Sequence, residues 1–169
     1  MPPNPLTNPI CSVHRKAGVT IYESPVQYEK QRIHAAAVYC SDGRVGEHFD
    51  DFIQNGLGLP RYDRVALPGG PACLAGHLEA RVAEQGVIDE LKFLIDAHGL
   101  TKLVLIQHEE CAFYTARLGV SAKRLEALQR ADLVRATYAV RKATSMDKVE
   151  GYFARRGKHG ISFEQIEID

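Results

Sequence analysis

Two short stretches hold the residues whose types and spacing could do chemistry. Cys40, Asp42 and Arg44 alternate in "AVYCSDGRV", residues 37–45, directly after an apolar run, and His108 and Cys111 stand three apart in "LIQHEEC", residues 105–111. In an extended segment alternate side chains share a face, so a thiol, a carboxylate and a guanidinium point together if strand geometry persists. A histidine and a cysteine three apart can share one turn and aim both heads at one point. A second thiolate, from Cys40, completes a Cys2His set of the kind that binds zinc. Three protein ligands leave a fourth tetrahedral position for water or substrate, which marks a catalytic zinc rather than a closed structural one. Two thiolates neutralise the formal charge of Zn2+, so such a metal acidifies its water less than an all-histidine site and depends more on neighbouring groups. Arg44 beside Asp42 would keep that carboxylate ionised and oriented.

The elements that must position these residues are legible in the hydrophobic pattern. "RIHAAAVYC" is a near-continuous apolar run, as in a strand covered on both faces of a parallel sheet. "YDRVALPGG" reads as a second strand stopped by Pro68 and two glycines, and "TKLVLIQ" as a third with no polar face. Between them "PACLAGHLEARVAEQGVIDELKFLIDAHG", residues 71–99, carries helical spacing through Val87, Leu91, Leu94 and Ile95, with Gly99 as its stop. Strand, helix, strand with such a crossover predicts a parallel pair. A long amphipathic helix is expected in "SAKRLEALQRADLVRATYAVRKA", with Ser121 as N-cap and Leu125, Leu128, Leu133 and Val134 as its inner stripe. "VEGYFAR" and "ISFEQIEI", separated by "RGKHG", read as a terminal hairpin. The sum is an α/β domain with a mixed sheet, whose functional groups gather at the carboxyl ends of its parallel strands.

Composition narrows the function classes. The chain has 169 residues, 45% of them hydrophobic, enough for one core; we expect an N-terminal arm over residues 1–30 and a single α/β domain over 31–169. Lys plus Arg and Asp plus Glu both number 21, so no strong field gathers nucleic acid or anionic lipid. The proline-rich start lacks the apolar stretch of a signal peptide, and no segment approaches the roughly 18 apolar residues of a membrane helix. The expectation is a cytoplasmic protein with no nucleic-acid or membrane partner, whose Cys11, Cys40, Cys73 and Cys111 are thiols or metal ligands rather than disulfides.

The C-x-D-x-R of "CSDGR", followed by the H-x-x-C of "HEEC", resembles the β-class carbonic anhydrases. The element order agrees: "GVIDELKFLIDAHGLTKLVLIQHEEC" resembles the family's helix and strand before its histidine ligand, and "VEGYFARRGKHGISFEQI" its closing hairpin. The resemblance implies a mostly parallel central sheet flanked by helices with a C-terminal antiparallel hairpin, and zinc held by Cys40, His108 and Cys111. It implies that Asp42 pairs with Arg44 and either accepts a hydrogen bond from zinc-bound water or moves in as a fourth ligand. The implied activity is that of a lyase, the reversible hydration of CO2 to bicarbonate by zinc-bound hydroxide, in a homodimer or higher homo-oligomer. Two alternatives stay open: a zinc-binding dimeric module of the same fold without catalysis, and a hydrolase of a CO2 analogue such as carbonyl sulfide. The chain departs from the family pattern at Gln107 and Ala112, which flank H-x-x-C in place of glycines, and at "LPGGP", residues 67–71, in place of R-N-A-G-N. Glu109 and Glu110 lie inside the motif, and a carboxylate turned to the metal would oppose ionisation of its water.

Other motifs carry less. Cys11 with His14 has C-x-x-H spacing inside the arm, and Cys73 at a helix start is expected to be a packing residue. "CAFYTAR", residues 111–117, has the C-x5-R spacing of thiol phosphatases, but that cradle needs inward backbone amides and favours glycines this stretch lacks. His34, His48, His77, His98 and His159 have no spacing that sets them apart.

Overall fold

A computed structural model describes residues 18–168, and the chain divides into two units, residues 1–31 and 32–169. The described part of the first unit, residues 18–31, is exposed throughout and holds no helix or strand, and Cys11 and His14 lie outside the described residues.

The second unit is built on one five-stranded sheet in the order β2-β1-β3-β4-β5, with β1 at Ala35–Cys40, β2 at Asp63–Leu67, β3 at Lys102–His108, β4 at Val149–Arg156 and β5 at Ile161–Ile166. The first four strands are mutually parallel and β5 is antiparallel to β4, closing the hairpin at Arg156↔Ile161. Every residue of β1 is buried, and so is all of β3 but Lys102, because these strands are covered on both faces. The edge strand β2 alternates instead, with one side half-buried and the other exposed.

One face packs Ala36, Val38, Leu103 and Leu105 against α2 (Arg81–His98) and α3 (Ala122–Thr144) through Val87, Leu91, Leu133, Ala136 and Val140. The other packs Ala37, Tyr39, Val104 and Ile106 against Phe49, Ile53 and Tyr62. Phe49 belongs to a short helix, α1 (Gly46–Asp51), which the apolar periodicity does not announce because only that one of its residues is buried.

Two expectations are corrected. Helical structure does not run from residue 71: a 3-10 turn, Gly70–Leu74, and a second, Leu78–Ala80, precede α2, because Gly76 takes the left-handed conformation at φ +81° and breaks the chain between them. The inner stripe of α3 is Leu125, Gln129, Asp132, Leu133, Ala136, Thr137 and Val140; Leu128 and Val134 are half-buried, displaced from the stripe by polar residues. Other boundaries agree. Gly99 ends α2 in the left-handed conformation with its N–H on the Ile95 carbonyl, and Ser121 stands at the N-cap of α3, although its side chain makes no capping bond.

Candidate metal centre

β1 and β3 are parallel neighbours, so their carboxyl ends deliver Cys40 and His108 to the same edge of the sheet. Glu110 then takes the left-handed conformation at φ +55° and turns the chain so that Cys111 comes back beside them. The three side chains are buried and their donor atoms all lie within 4.8 Å of one another. Cys40 Sγ and Cys111 Sγ are 3.8 Å apart. Two sulfurs each about 2.3 Å from a tetrahedral zinc lie about 3.8 Å from each other, so the spacing of the pair suits such an ion.

The histidine is oriented for the same task. Its Nδ1 is 2.8 Å from the Glu109 carbonyl oxygen, which assigns the proton to Nδ1. Nε2 is left with its lone pair, buried and without a partner. A buried polar atom with nothing to bond is costly, and coordination of a cation would satisfy it. The thiols complete the donor set. The hydrogen bond from Cys111 pulls the Cys40 pKa down, burial opposes it, and the backbone at Gly69 and Asp42 adds to the lowering. The same bond, with burial, pushes Cys111 up, so the pair holds one proton and one thiolate near neutral pH.

Asp42 and Arg44 stand beside this cluster, but not for the reason that strand alternation suggests. β1 ends at Cys40, and the chain then turns: the Asp42 carbonyl accepts from Val45 N–H and its Oδ1 accepts from Arg44 N–H at 3.0 Å, an Asx turn. That turn brings the guanidinium onto its own carboxylate, with Arg44 Nε 2.9 Å from Oδ1 and Nη2 2.5 Å from Oδ2. The side-chain bond to Arg44 holds the Asp42 carboxyl well below the usual range, so it is ionised near neutral pH. Asp42 is thus engaged by Arg44 here, and the cluster among the described residues that could hold a metal is Cys40, His108 and Cys111 without it.

Asp42, Arg44 and His108 open onto a cavity of about 280 Å³ whose other walls include His48, Glu110 and Arg156. The two glutamates of "HEEC" turn to arginines of the hairpin instead of the metal. Glu109 Oε2 accepts from the Arg156 N–H at 2.8 Å, and Glu110 Oε2 lies 2.5 Å from Arg156 Nη2. The "LPGGP" turn packs on the end of β1, where Gly70 lies so close that a Cβ on it would meet the Cys40 nitrogen at 2.7 Å.

The remaining candidates do not join the cluster. Arg117 is exposed, its guanidinium 5.4 Å from the Phe113 ring centroid, and so offers Cys111 no phosphate cradle. Cys73 is a core residue whose thiol burial pushes up to about 12. His98 pairs with Asp63 at 2.7 Å, while His34 and His159 are exposed. Sequence reasoning missed Gln129 and Asp132, buried on α3, the first of which donates from Nε2 to the His108 carbonyl at 2.7 Å. The signal was two polar residues on the inner face of an amphipathic helix.

Residues 30–166 match the family described as "Putative carbonic anhydrase". The chain belongs to that family. Solved carbonic anhydrases share its fold. The β-carbonic anhydrase isoform I of Trichomonas vaginalis superposes with a TM-score of 0.53 at 15% identity, over 83% of this chain and 87% of that one. A carbonic anhydrase from Glaciozyma antarctica gives 0.52 at 15%, over 79% and 81%. The β-carbonic anhydrase CafA of Aspergillus fumigatus gives 0.51 at 15%, over 82% and 78%. No curated protein matches the chain. At such identity the likeness carries the architecture, a mostly parallel sheet with flanking helices and a closing antiparallel pair, and this carbonic-anhydrase-like chain keeps within it a Cys2His cluster that could hold a metal.

Proposed function

We propose that this chain is a zinc-dependent carbonic anhydrase, a lyase that interconverts CO2 and bicarbonate, with zinc on Cys40, His108 and Cys111 and with Asp42 and Arg44 on the substrate side. One observation carries the reading: two sulfurs 3.8 Å apart and a buried, unpartnered imidazole nitrogen converge at the edge of a cavity that the Asp42–Arg44 pair lines. Zinc bound there supplies a Lewis acid that eases ionisation of water and polarises a small electrophile. The rest falls to the chain's own groups. Arg44 spends its fork on Asp42, keeping the carboxylate charged and turned in one direction. Asp42 Oδ1 and Oδ2 are then acceptors only, able to take a hydrogen bond from water in the cavity and align one lone pair toward a carbon. Arg156 and the Asp42 turn keep Glu109, Glu110 and Arg44 occupied, and the three carboxylates and two guanidiniums of the cavity walls sum to one negative charge.

The reading extends to a homodimer or higher homo-oligomer acting in the cytoplasm, where Cys40, Cys73 and Cys111 would stay free as they are here. Among the described residues no helix is long and apolar enough to cross a membrane. One observation favours a second reading, a zinc-holding module of this fold without turnover: the "LPGGP" turn reaches Cys40 with backbone alone and adds no side chain to the cavity lining. Metal content of the purified protein, with stopped-flow CO2 hydration at alkaline pH, separates them. One zinc per chain with turnover supports the enzyme, one zinc without turnover supports the module, and a chain that takes up no zinc overturns both.

A further inference from the structure

α3 reaches the ligand-bearing segment with two polar side chains that no solvent touches. Gln129 and Asp132 are buried at 1% and 0% exposure, one turn apart on the inner face of the helix. Gln129 Nε2 donates to the carbonyl of His108 at 2.7 Å. Burial, with the charge of Asp132 close by, pushes the pKa of the fully buried Tyr114 phenol up, so the hydroxyl keeps its proton. The same hydroxyl accepts from Gln107 Nε2 at 2.8 Å. Gln107 precedes one metal-ligating residue and Tyr114 follows the other, so this one bond spans the segment that carries both.

A carboxylate at zero exposure is expensive unless its oxygens are filled. His77 Nε2 lies 2.6 Å from Asp132 Oδ2 and Arg135 Nη1 2.7 Å from Oδ1, and both partners stand nearer solvent, at 18% and 56% side-chain exposure. The His77 ring also meets the Tyr114 ring edge to face, centroids 6.5 Å apart. A string of contacts thus runs from the surface at His77, which bonds Asp132 and packs against the Tyr114 ring, to the Tyr114 hydroxyl and Gln107 beside His108. Ordinary apolar packing would join α3 to the sheet without burying a charge. What the polar arrangement adds is direction, because hydrogen bonds fix the rotation of the segment between residues 107 and 114 as close packing does not.

We propose that Gln107, Tyr114, Gln129 and Asp132, anchored by His77 and Arg135, are positioning residues that set the placement of His108 and Cys111 and thereby tune metal affinity. The proposal rests on the reading of Cys40, His108 and Cys111 as the metal ligands. Groups that orient ligands from behind typically shift metal affinity about 10–100-fold when removed.

The test uses the full chain, with zinc affinity measured by competition against a chromogenic chelator and the ligand-field spectrum recorded after cobalt loading. Tyr114→Phe removes only the hydroxyl and Gln129→Met only the donor to the His108 carbonyl. Each should keep the fold, lower zinc affinity about tenfold or more and shift the cobalt bands. Asp132→Asn should move both readouts in the same direction; if it does not fold, the other two variants decide. Thr137→Val is the control for plain destabilisation, since Thr137 is equally buried on α3 but donates only to the Leu133 carbonyl. It should lower the melting temperature without moving affinity or spectrum. Folded Tyr114→Phe and Gln129→Met proteins with the affinity and spectrum of the wild type overturn the proposal and leave the metal site standing. A wild-type chain that binds no zinc overturns both.

Discussion

Replacing Gly70 with alanine tests whether the turn after β2 shapes the metal centre. Gly70 has φ +51°, and a Cβ on it would lie 2.6 Å from the Tyr39 carbonyl carbon, 2.7 Å from the Cys40 nitrogen and 2.9 Å from Tyr39 Cα. All three are backbone atoms of a central strand held on both sides by parallel pairing, so relief must come from the turn itself. The left-handed conformation costs an alanine about 1–2 kcal/mol. Overpacking a dense site adds about 1–3 kcal/mol. Against a typical stability of about 5–15 kcal/mol, a loss of about 2–5 kcal/mol lowers the melting temperature of a chain this size by about 4–20 °C. The displaced turn also carries the Gly69 backbone that helps draw the Cys40 thiol pKa down, so zinc affinity should fall with stability. Gly76→Ala is the matched control: φ is +81°, but nothing lies within 4 Å of its Cβ, so it pays the backbone term alone. Thermal unfolding of the two metal-free variants, followed by zinc competition, gives the comparison. If both melt together and bind zinc equally, the close approach of Gly70 to Cys40 has no energetic weight and the reasoning fails.

Asp42→Asn should leave one zinc per chain bound while CO2 hydration falls about 10²–10⁴-fold, read by metal analysis and stopped-flow; full turnover would remove Asp42 from the reaction. Because Cys40 is pulled down and Cys111 pushed up, zinc uptake should release about one proton from the pair, and affinity should fall about tenfold per unit of acidification between about pH 8 and 6. Calorimetry in buffers of different ionisation enthalpy counts that proton. The folded-state pKa of Asp42 lies below its unfolded value of about 3.9, so the stability its pair contributes is complete above that pH and is lost as pH falls through the folded value. Arg44 is 78% exposed, so Arg44→Ala should melt close to wild type at neutral pH, and its larger effect should be on turnover. With its thiol pushed up to about 12 and no exposed surface, Cys73 should resist alkylation in the native protein and react once it is unfolded; rapid native labelling would contradict its placement in the core.

Much of the architecture was legible because parallel strands covered on both faces must be apolar throughout, which is how "AAAVYC" and "KLVLI" read. The grouping of Cys40, His108 and Cys111 was legible for a related reason: a sheet edge gathers what its strands end on, and the chain ends two neighbouring strands on Cys40 and His108. The Asp42–Arg44 pairing was foreseen with the wrong cause, since D-x-R marks an Asx turn here as readily as a continuing strand. The inner stripe of α3 was misjudged because Gln129 and Asp132 occupy core positions that a hydrophobic pattern assigns elsewhere.

Residue types and local spacing thus determined, without any fold in hand, the strands, the long helices and the hairpin, because each depends on periodicity within a few neighbouring residues, and the parallel pairing of two such strands gathers the Cys2His donors at one edge. Only the tertiary structure decided where charge and polarity went. The turning of Glu109 and Glu110 onto the hairpin arginines, the closeness of Gly70 to Cys40, and the packing of His77 on Asp132 and Tyr114 join residues far apart in the chain. Such pairings leave no periodic trace, since a buried polar group is stabilised by whichever partner the packed elements bring to it and not by its neighbours in sequence.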